Sequence, residues 1–117
     1  MKRILIAEDN DSNYILMTYV LRGLYEFERA RNGEEAVKMA STNTYDLVLM
    51  DLKMPVTDGL EATRRIKKVL PTLPIIALTA NVFDIDRQHA ADAGCDGFLA
   101  KPISRKDCID TIERLMG

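Results

Sequence analysis

Leu47-Val48-Leu49-Met50-Asp51, followed at once by Leu52-Lys53-Met54-Pro55-Val56-Thr57-Asp58-Gly59, is the stretch that decides the fold. Four apolar residues in unbroken succession are the pattern of a strand covered on both faces, as in a parallel sheet. A carboxylate inside such a strand would be desolvated without compensation. At its C-terminal end, where open α/β sheets place their ligand sites, the carboxylate can meet water and a metal. Ile4-Leu5-Ile6-Ala7 runs into Glu8-Asp9-Asn10-Asp11 in the same manner. Two further runs end in Thr79 and in Lys101-Pro102. Four strand ends thus bring acids, a hydroxyl and an ammonium to one edge.

Short apolar runs alternate with amphipathic stretches through the whole chain. Strands are expected at 3–7, 27–31, 47–50, 75–78 and 97–100, and helices at 12–22, 33–40, 60–69, 84–93 and 105–116. In the second helix Ala36, Val37 and Ala40 share one side while Glu34, Glu35 and Lys38 point outward. Asn32-Gly33, Asp58-Gly59, Pro71 to Pro74, Ala93-Gly94 and Ser104 supply the punctuation. Strand–helix alternation implies right-handed parallel βαβ units, so the expected fold is α/β, a doubly wound five-stranded parallel sheet with helices on both faces. Pattern alone leaves the strand order open.

The 117 residues are 47% hydrophobic and 29% charged, which suits one globular domain over 1–117 and neither a disordered nor a membrane chain. A net charge of −2 without a basic stripe argues against nucleic-acid binding. The one dense basic cluster, Arg64-Arg65-Ile66-Lys67-Lys68, reads as the solvated face of a helix. No apolar stretch approaches the roughly 20 residues that span a bilayer, and Ile4 to Ala7 is too short for a signal peptide, so a cytoplasmic location is expected. Cys95 and Cys108 have no metal spacing and read as reduced thiols, and His89, the single histidine, reads as a surface residue.

At the shared strand edge, hard oxygen ligands without cysteine or histidine suit Mg²⁺. Asp9 and Asp51 are the expected carboxylate ligands, with Glu8 acting through a water. A cation also relieves the repulsion among crowded acids. Phosphoryl transfer needs an in-line nucleophile, a metal on the phosphoryl oxygens and further positive charge. An ionised aspartate can be that nucleophile and form an acyl phosphate. Asp51 is the better placed for attack, with Lys101 as the ammonium and Thr79 as a hydroxyl donor. Rival motifs fail. Asp9, Asp11 and Asn13 begin like an EF-hand loop, but Tyr14 stands at its glycine position and Val20 at its last ligand position. Neither GxxxxGK[ST] nor GxGxxG occurs. Taken alone, the Glu8 to Asp11 block also reads as a helix cap.

Together, Glu8-Asp9, Met50-Asp51 with Met54-Pro55 and Asp58-Gly59, Leu78-Thr79-Ala80 and Lys101-Pro102-Ile103 resemble the receiver domain of two-component response regulators over essentially the whole chain. The resemblance implies a flavodoxin-like (βα)5 fold with strand order 2-1-3-4-5. It implies phosphorylation on Asp51, Mg²⁺ at Glu8, Asp9, Asp51 and the backbone carbonyl of Lys53, and phosphate contacts from Thr79, Ala80 and Lys101. It also implies a conformational switch through Thr79 and Phe98, although Phe98 alone reads equally as a core ring. Lys53 and Asn81 fall where the family tunes phosphate lifetime. Glu8-Asp9-Asn10 with Asn13, and Leu78-Thr79-Ala80-Asn81 with Leu99-Ala100-Lys101-Pro102-Ile103, are most similar to receivers of hybrid sensor histidine kinases.

In the first helix Leu16, Met17, Val20 and Leu21 are expected to face the sheet, leaving Tyr14, Ile15, Thr18, Tyr19 and Arg22 outward. This apolar outer face is the expected docking surface, and the resemblance implies a histidine kinase or histidine phosphotransfer protein as partner. Two alternatives remain open at the level of sequence. One is a stand-alone regulator. The other is an aspartyl-phosphate phosphatase, against which Lys53 stands where a haloacid-dehalogenase-like enzyme has a second aspartate.

Overall fold

The computed structural model describes residues 1–80 and 84–116, and of Asp84 the backbone only. Strands β1 (Arg3–Ala7), β2 (Glu26–Ala30), β3 (Leu47–Asp51), β4 (Ile75–Thr79) and β5 (Gly97–Ala100) alternate with helices α1 (Asp11–Leu21), α2 (Gly33–Thr42), α3 (Gly59–Val69), α4 (Asp84–Ala93) and α5 (Arg105–Met116). All pairings are parallel and the strand order is β2-β1-β3-β4-β5. The flavodoxin-like order implied by the resemblance is the order found. β3 and β4 are buried along their whole length, as their unbroken apolar runs require. The one displaced strand is β2, found a residue earlier than 27–31, because its pairing with β1 runs from Arg3 opposite Glu26 to Ala7 opposite Ala30.

Alternate strand residues face opposite layers. Ile4, Ile6, Leu47, Leu49, Ile76 and Leu78 pack on Met17, Val20 and Leu21 of α1 and on Cys108 and Ile112 of α5. Leu5, Ala7, Val48, Met50 and Ile75 face α2 and α3 through Ala36, Ala40, Ala62 and Ile66. Small alanines let α2 and α3 approach the sheet closely. A third cluster of Leu52, Ala77 and Ala90 seats α4.

Helix starts are capped by the polar residues that follow the strands. The side chains of Asn10, Asn32 and Asp58 accept hydrogen bonds from the backbone N–H of Asn13, Glu35 and Glu61 at 3.0, 2.8 and 2.9 Å. The basic cluster 64–68 is less uniformly solvated than its composition suggests. Ile66 is fully buried, Arg65 pairs with Glu34 of α2, and Lys67 pairs with Asp96 at 2.7 Å. Amphipathic α3 exposes its long cations, and two of them find acids on neighbouring elements.

Two glycines set how closely the loop after β3 can be folded back. A Cβ on Gly59 would lie 2.1 Å from the Asp51 carbonyl oxygen, and one on Gly33 would lie 1.9 Å from the Thr57 carbonyl oxygen. Gly59 N–H donates to the Leu52 carbonyl at 3.0 Å, closing the loop directly beneath the strand end. Gly59→Ala forces backbone against backbone, and the expected loss is about 2–3 kcal/mol of folding stability, the upper range for overpacking. Urea unfolding of the purified variant measures it, and a midpoint equal to wild type would refute the packing argument.

Candidate phosphoacceptor and metal site

Glu8, Asp9 and Asp51 each bring a carboxylate oxygen within 4.8 Å of the others, and among the described residues they form the one acidic group able to hold a metal ion. Asp51 closes β3 and is 4% exposed, and Glu8, just past β1, is fully buried. Asp9 is exposed. Lys101, just past β5, reaches both buried acids, with Nζ 3.0 Å from Glu8 Oε1 and 3.3 Å from Asp51 Oδ2. The other Asp51 oxygen accepts the Lys53 N–H at 3.2 Å. Thr79 ends β4 beside the site, and its carbonyl accepts the Lys101 N–H at 2.7 Å. Ala80 follows it at the surface. The structure therefore brings together Glu8, Asp9, Asp51, Thr79 and Lys101, as the strand-end argument expects. Asn81 lies outside the described residues.

The electrostatics explain why this arrangement wants a cation. Burial, with the Asp51 carboxylate beside it, pushes the Glu8 carboxyl up to about 7, and the Lys101 ammonium only partly opposes that rise. Burial alone would disfavour the charge on Lys101, yet its pKa lies above the ordinary value because Glu8 and Asp51 outweigh that effect. Glu8 Oε1 has the Lys101 ammonium as an ion-pair neighbour but no hydrogen bond of adequate geometry, and it is the orphaned buried side-chain oxygen among the described residues. A buried carboxylate with an unused lone pair, an aspartate 4% exposed and a third acid open to water suit a small divalent cation that keeps part of its hydration.

The α1 face differs from the expectation at three positions. Thr18 is buried, with its hydroxyl donating to the Ile15 carbonyl at 2.7 Å, so burial leaves no polar group unsatisfied. Tyr14 turns inward and packs edge-on against Phe27, 6.5 Å between centroids. Leu16, expected inside, is 40% exposed. The inward stripe is Tyr14, Met17, Thr18, Val20 and Leu21, and the outward apolar stripe is Ile15, Leu16 and Tyr19. Of the expected docking residues Tyr14, Ile15, Thr18 and Tyr19, Ile15 and Tyr19 lie at the surface. Phe98 is half-buried beside Leu52, Ala77 and Ala90, with the Arg87 guanidinium 5.2 Å above its ring. His89 is exposed, and Cys95 and Cys108 are unpaired thiols.

A residue that sequence reasoning missed is Arg29 of β2. It donates to the carbonyls of Glu8 and Asp9 and pairs with Asp11. Nothing local signals this role; the only hint is a cation standing in a short strand.

Residues 4–113 match the family model of the response regulator receiver domain. The chain belongs to the response regulator receiver family. It is 42% identical to hybrid signal transduction histidine kinase G of Dictyostelium discoideum over 96% of the chain, which spans only 3% of that protein. It is 37% identical to the polar-differentiation response regulator DivK of Brucella anthropi over 99% of the chain, and there it spans 97% of the relative. Among solved structures, the receiver domain of a Pseudomonas aeruginosa sensor histidine kinase, with magnesium coordinated in its active-site cleft, superposes with a TM-score of 0.92. That likeness comes at 39% identity and covers 99% of this chain and 98% of that one. The receiver domain of Ssk1, in complex with the phosphotransfer protein Ypd1 of Saccharomyces cerevisiae, matches with a TM-score of 0.91 at 29% identity, over 97% of this chain and 88% of that one. The chain is thus a receiver domain of the two-component phosphorelay class. No helix among the described residues is long and apolar enough to cross a membrane.

If the three acids hold Mg²⁺, the cation should stabilise the folded state by mass action, by about 2.7 kcal/mol at a hundredfold excess over its Kd. Thermal melts with MgCl₂ against KCl of equal ionic strength should show a Tm rise specific to Mg²⁺. Asp9→Asn, at an exposed position, should fold normally and lose most of that rise. A rise that persists undiminished in the variant would remove Asp9 from the ligand set.

Proposed function

We propose that this domain is a phosphorylated switch in a His–Asp phosphorelay, accepting its phosphoryl group on Asp51 with Mg²⁺ bound by Glu8, Asp9, Asp51 and the Lys53 carbonyl. The observation that carries the reading is the placement of Asp51, held at the end of a buried strand between an ammonium and two further acids. An Asp51 carboxylate oxygen attacks the phosphorus of a phosphohistidine, the N–P bond breaks, and an acyl phosphate forms. Bound Mg²⁺ supplies neutralisation of the transferring oxygens. Lys101 takes its ammonium to the new phosphate, and Thr79 and Ala80 offer donors. Loss of the phosphate by hydrolysis or onward transfer makes this a switch rather than a turnover enzyme. Thr79 and the half-buried Phe98 carry the conformational response, a two-state element biased by local charge.

Incubation with acetyl phosphate and Mg²⁺ should add one phosphoryl group, visible by intact mass. Asp51→Asn should abolish it, and chelation of Mg²⁺ should suppress it. Labelling that survives in Asp51→Asn would sink the assignment.

The donor in this reading is a histidine kinase or histidine phosphotransfer protein, docking on the outward stripe of α1. Ile15 and Tyr19, 51% and 64% exposed, are apolar groups on the outer face of the helix that begins just after Asp9. Ile15→Asp should slow transfer from the cognate phosphohistidine protein about tenfold, the loss of a contact worth roughly 1.4 kcal/mol. Acetyl phosphate labelling should stay near wild type, and equal slowing of both donors would overturn the docking assignment.

The similarity to histidine-kinase receivers favours a cytoplasmic hybrid kinase as the parent. The 37% identity to DivK, itself little longer than one such domain, favours a second reading, a single-domain regulator. The mass of the endogenous product separates them.

A further inference from the structure

We infer that Arg29 is a positioning residue for the metal-binding loop, an inference that rests on the Mg²⁺ site proposed above and extends it to a residue outside the ligand set. Four contacts converge on one guanidinium. Nε donates to the Glu8 carbonyl at 3.1 Å and Nη2 to the Asp9 carbonyl at 3.3 Å. Nη2 also meets Asp11 Oδ1 at 2.8 Å, and the group lies 4.4 Å over the Tyr14 ring. The side chain is only 12% exposed.

These contacts fix the turn that the chain makes between β1 and α1. Glu8 and Asp9 are consecutive, and both must turn their carboxylates toward Asp51. Consecutive side chains of an extended chain point to opposite faces, so bringing both to one cation needs a backbone held out of the extended form. Arg29 holds the carbonyls of both residues. Its planar fork presents several donors in fixed geometry, which a lysine ammonium cannot reproduce. The Asp11 carboxylate pairs with this guanidinium and, at 3.5 Å, with that of Arg31, so it offsets part of the positive charge beside the cation site.

The same guanidinium touches Asp11 and Tyr14 in the first turn of α1, whose outer stripe is the proposed docking face. Arg29 therefore joins the metal loop to that helix mechanically, from the neighbouring strand β2.

Partners that orient metal ligands typically change affinity 10–100-fold when removed. Arg29→Lys and Arg29→Met should each raise the Mg²⁺ concentration at half-maximal effect about tenfold, read by NMR titration of the Glu8 to Asp11 amides. Acetyl phosphate labelling should slow at limiting Mg²⁺ and recover to near the wild-type rate at saturation. Because lysine keeps the charge and loses the fork, recovery of wild-type Mg²⁺ affinity in Arg29→Lys would overturn the positioning role. So would a lowered Tm with unchanged Mg²⁺ affinity in either variant, which would leave Arg29 purely structural. Wild-type protein that neither binds Mg²⁺ nor labels would instead refute the underlying site.

Discussion

One ammonium joins three strands. Lys101, following edge strand β5, lies between Glu8 after β1 and Asp51 at the end of β3, at 3.0 and 3.3 Å. Two buried carboxylates so close repel, and burial alone would disfavour the charge on Lys101. The ammonium offsets part of that repulsion, and the two carboxylates keep the ammonium charged. The rest of the edge follows from this. The strands must end in register, Thr79 must sit between β3 and β5, and the loops must leave the site open to solvent on the Asp9 side. In the proposed reading, an arriving dication would meet acids already in place, and an arriving phosphate an ammonium already in place.

The framework around that cluster is built from backbone contacts rather than bulk. Gly59 lets the loop return within contact of the Asp51 carbonyl, and Gly33 lets α2 begin against Thr57. Across the same gap, Glu34 accepts the Thr57 hydroxyl at 3.1 Å and pairs with Arg65. The loop carrying Lys53 is thereby tied to α2 and α3 together. On the other flank Arg29 does the corresponding service for the loop carrying Glu8 and Asp9. Asp51 sits at a strand end, whereas Glu8 and Asp9 sit in a loop held by hydrogen bonds reaching in from an adjacent strand.

Much of this was legible in the sequence because the signals are local and redundant. Uninterrupted apolar runs named β3 and β4, and a polar residue after each run named the site. On the inward face of α1 apolarity predicts Met17, Val20 and Leu21 correctly and fails at Tyr14, Leu16 and Thr18. Leu16 is apolar yet exposed, whereas Thr18 is polar yet buried, its hydroxyl satisfied by a carbonyl of its own helix. Spacing alone, with Tyr14, Met17, Thr18 and Leu21 three or four apart, would have found the stripe. Arg29 was illegible for a different reason. Its hydrogen bonds to the Glu8 and Asp9 carbonyls span 21 and 20 residues and depend on β2 lying beside β1, which no local pattern states.

Val56 carries a consequence of its own. It lies in the loop between Asp51 and α3, is 80% exposed, and holds a φ of 68°, where a β-branched side chain crowds its own backbone. Such a conformation costs on the order of 1–2 kcal/mol and persists only because the ends of the loop are pinned. Nothing buries the side chain, so the cost returns whenever the loop relaxes toward extended dihedrals. The loop that follows Asp51 thus stores backbone strain at an exposed position, where a residue without a β-branched side chain would hold the same turn at lower cost.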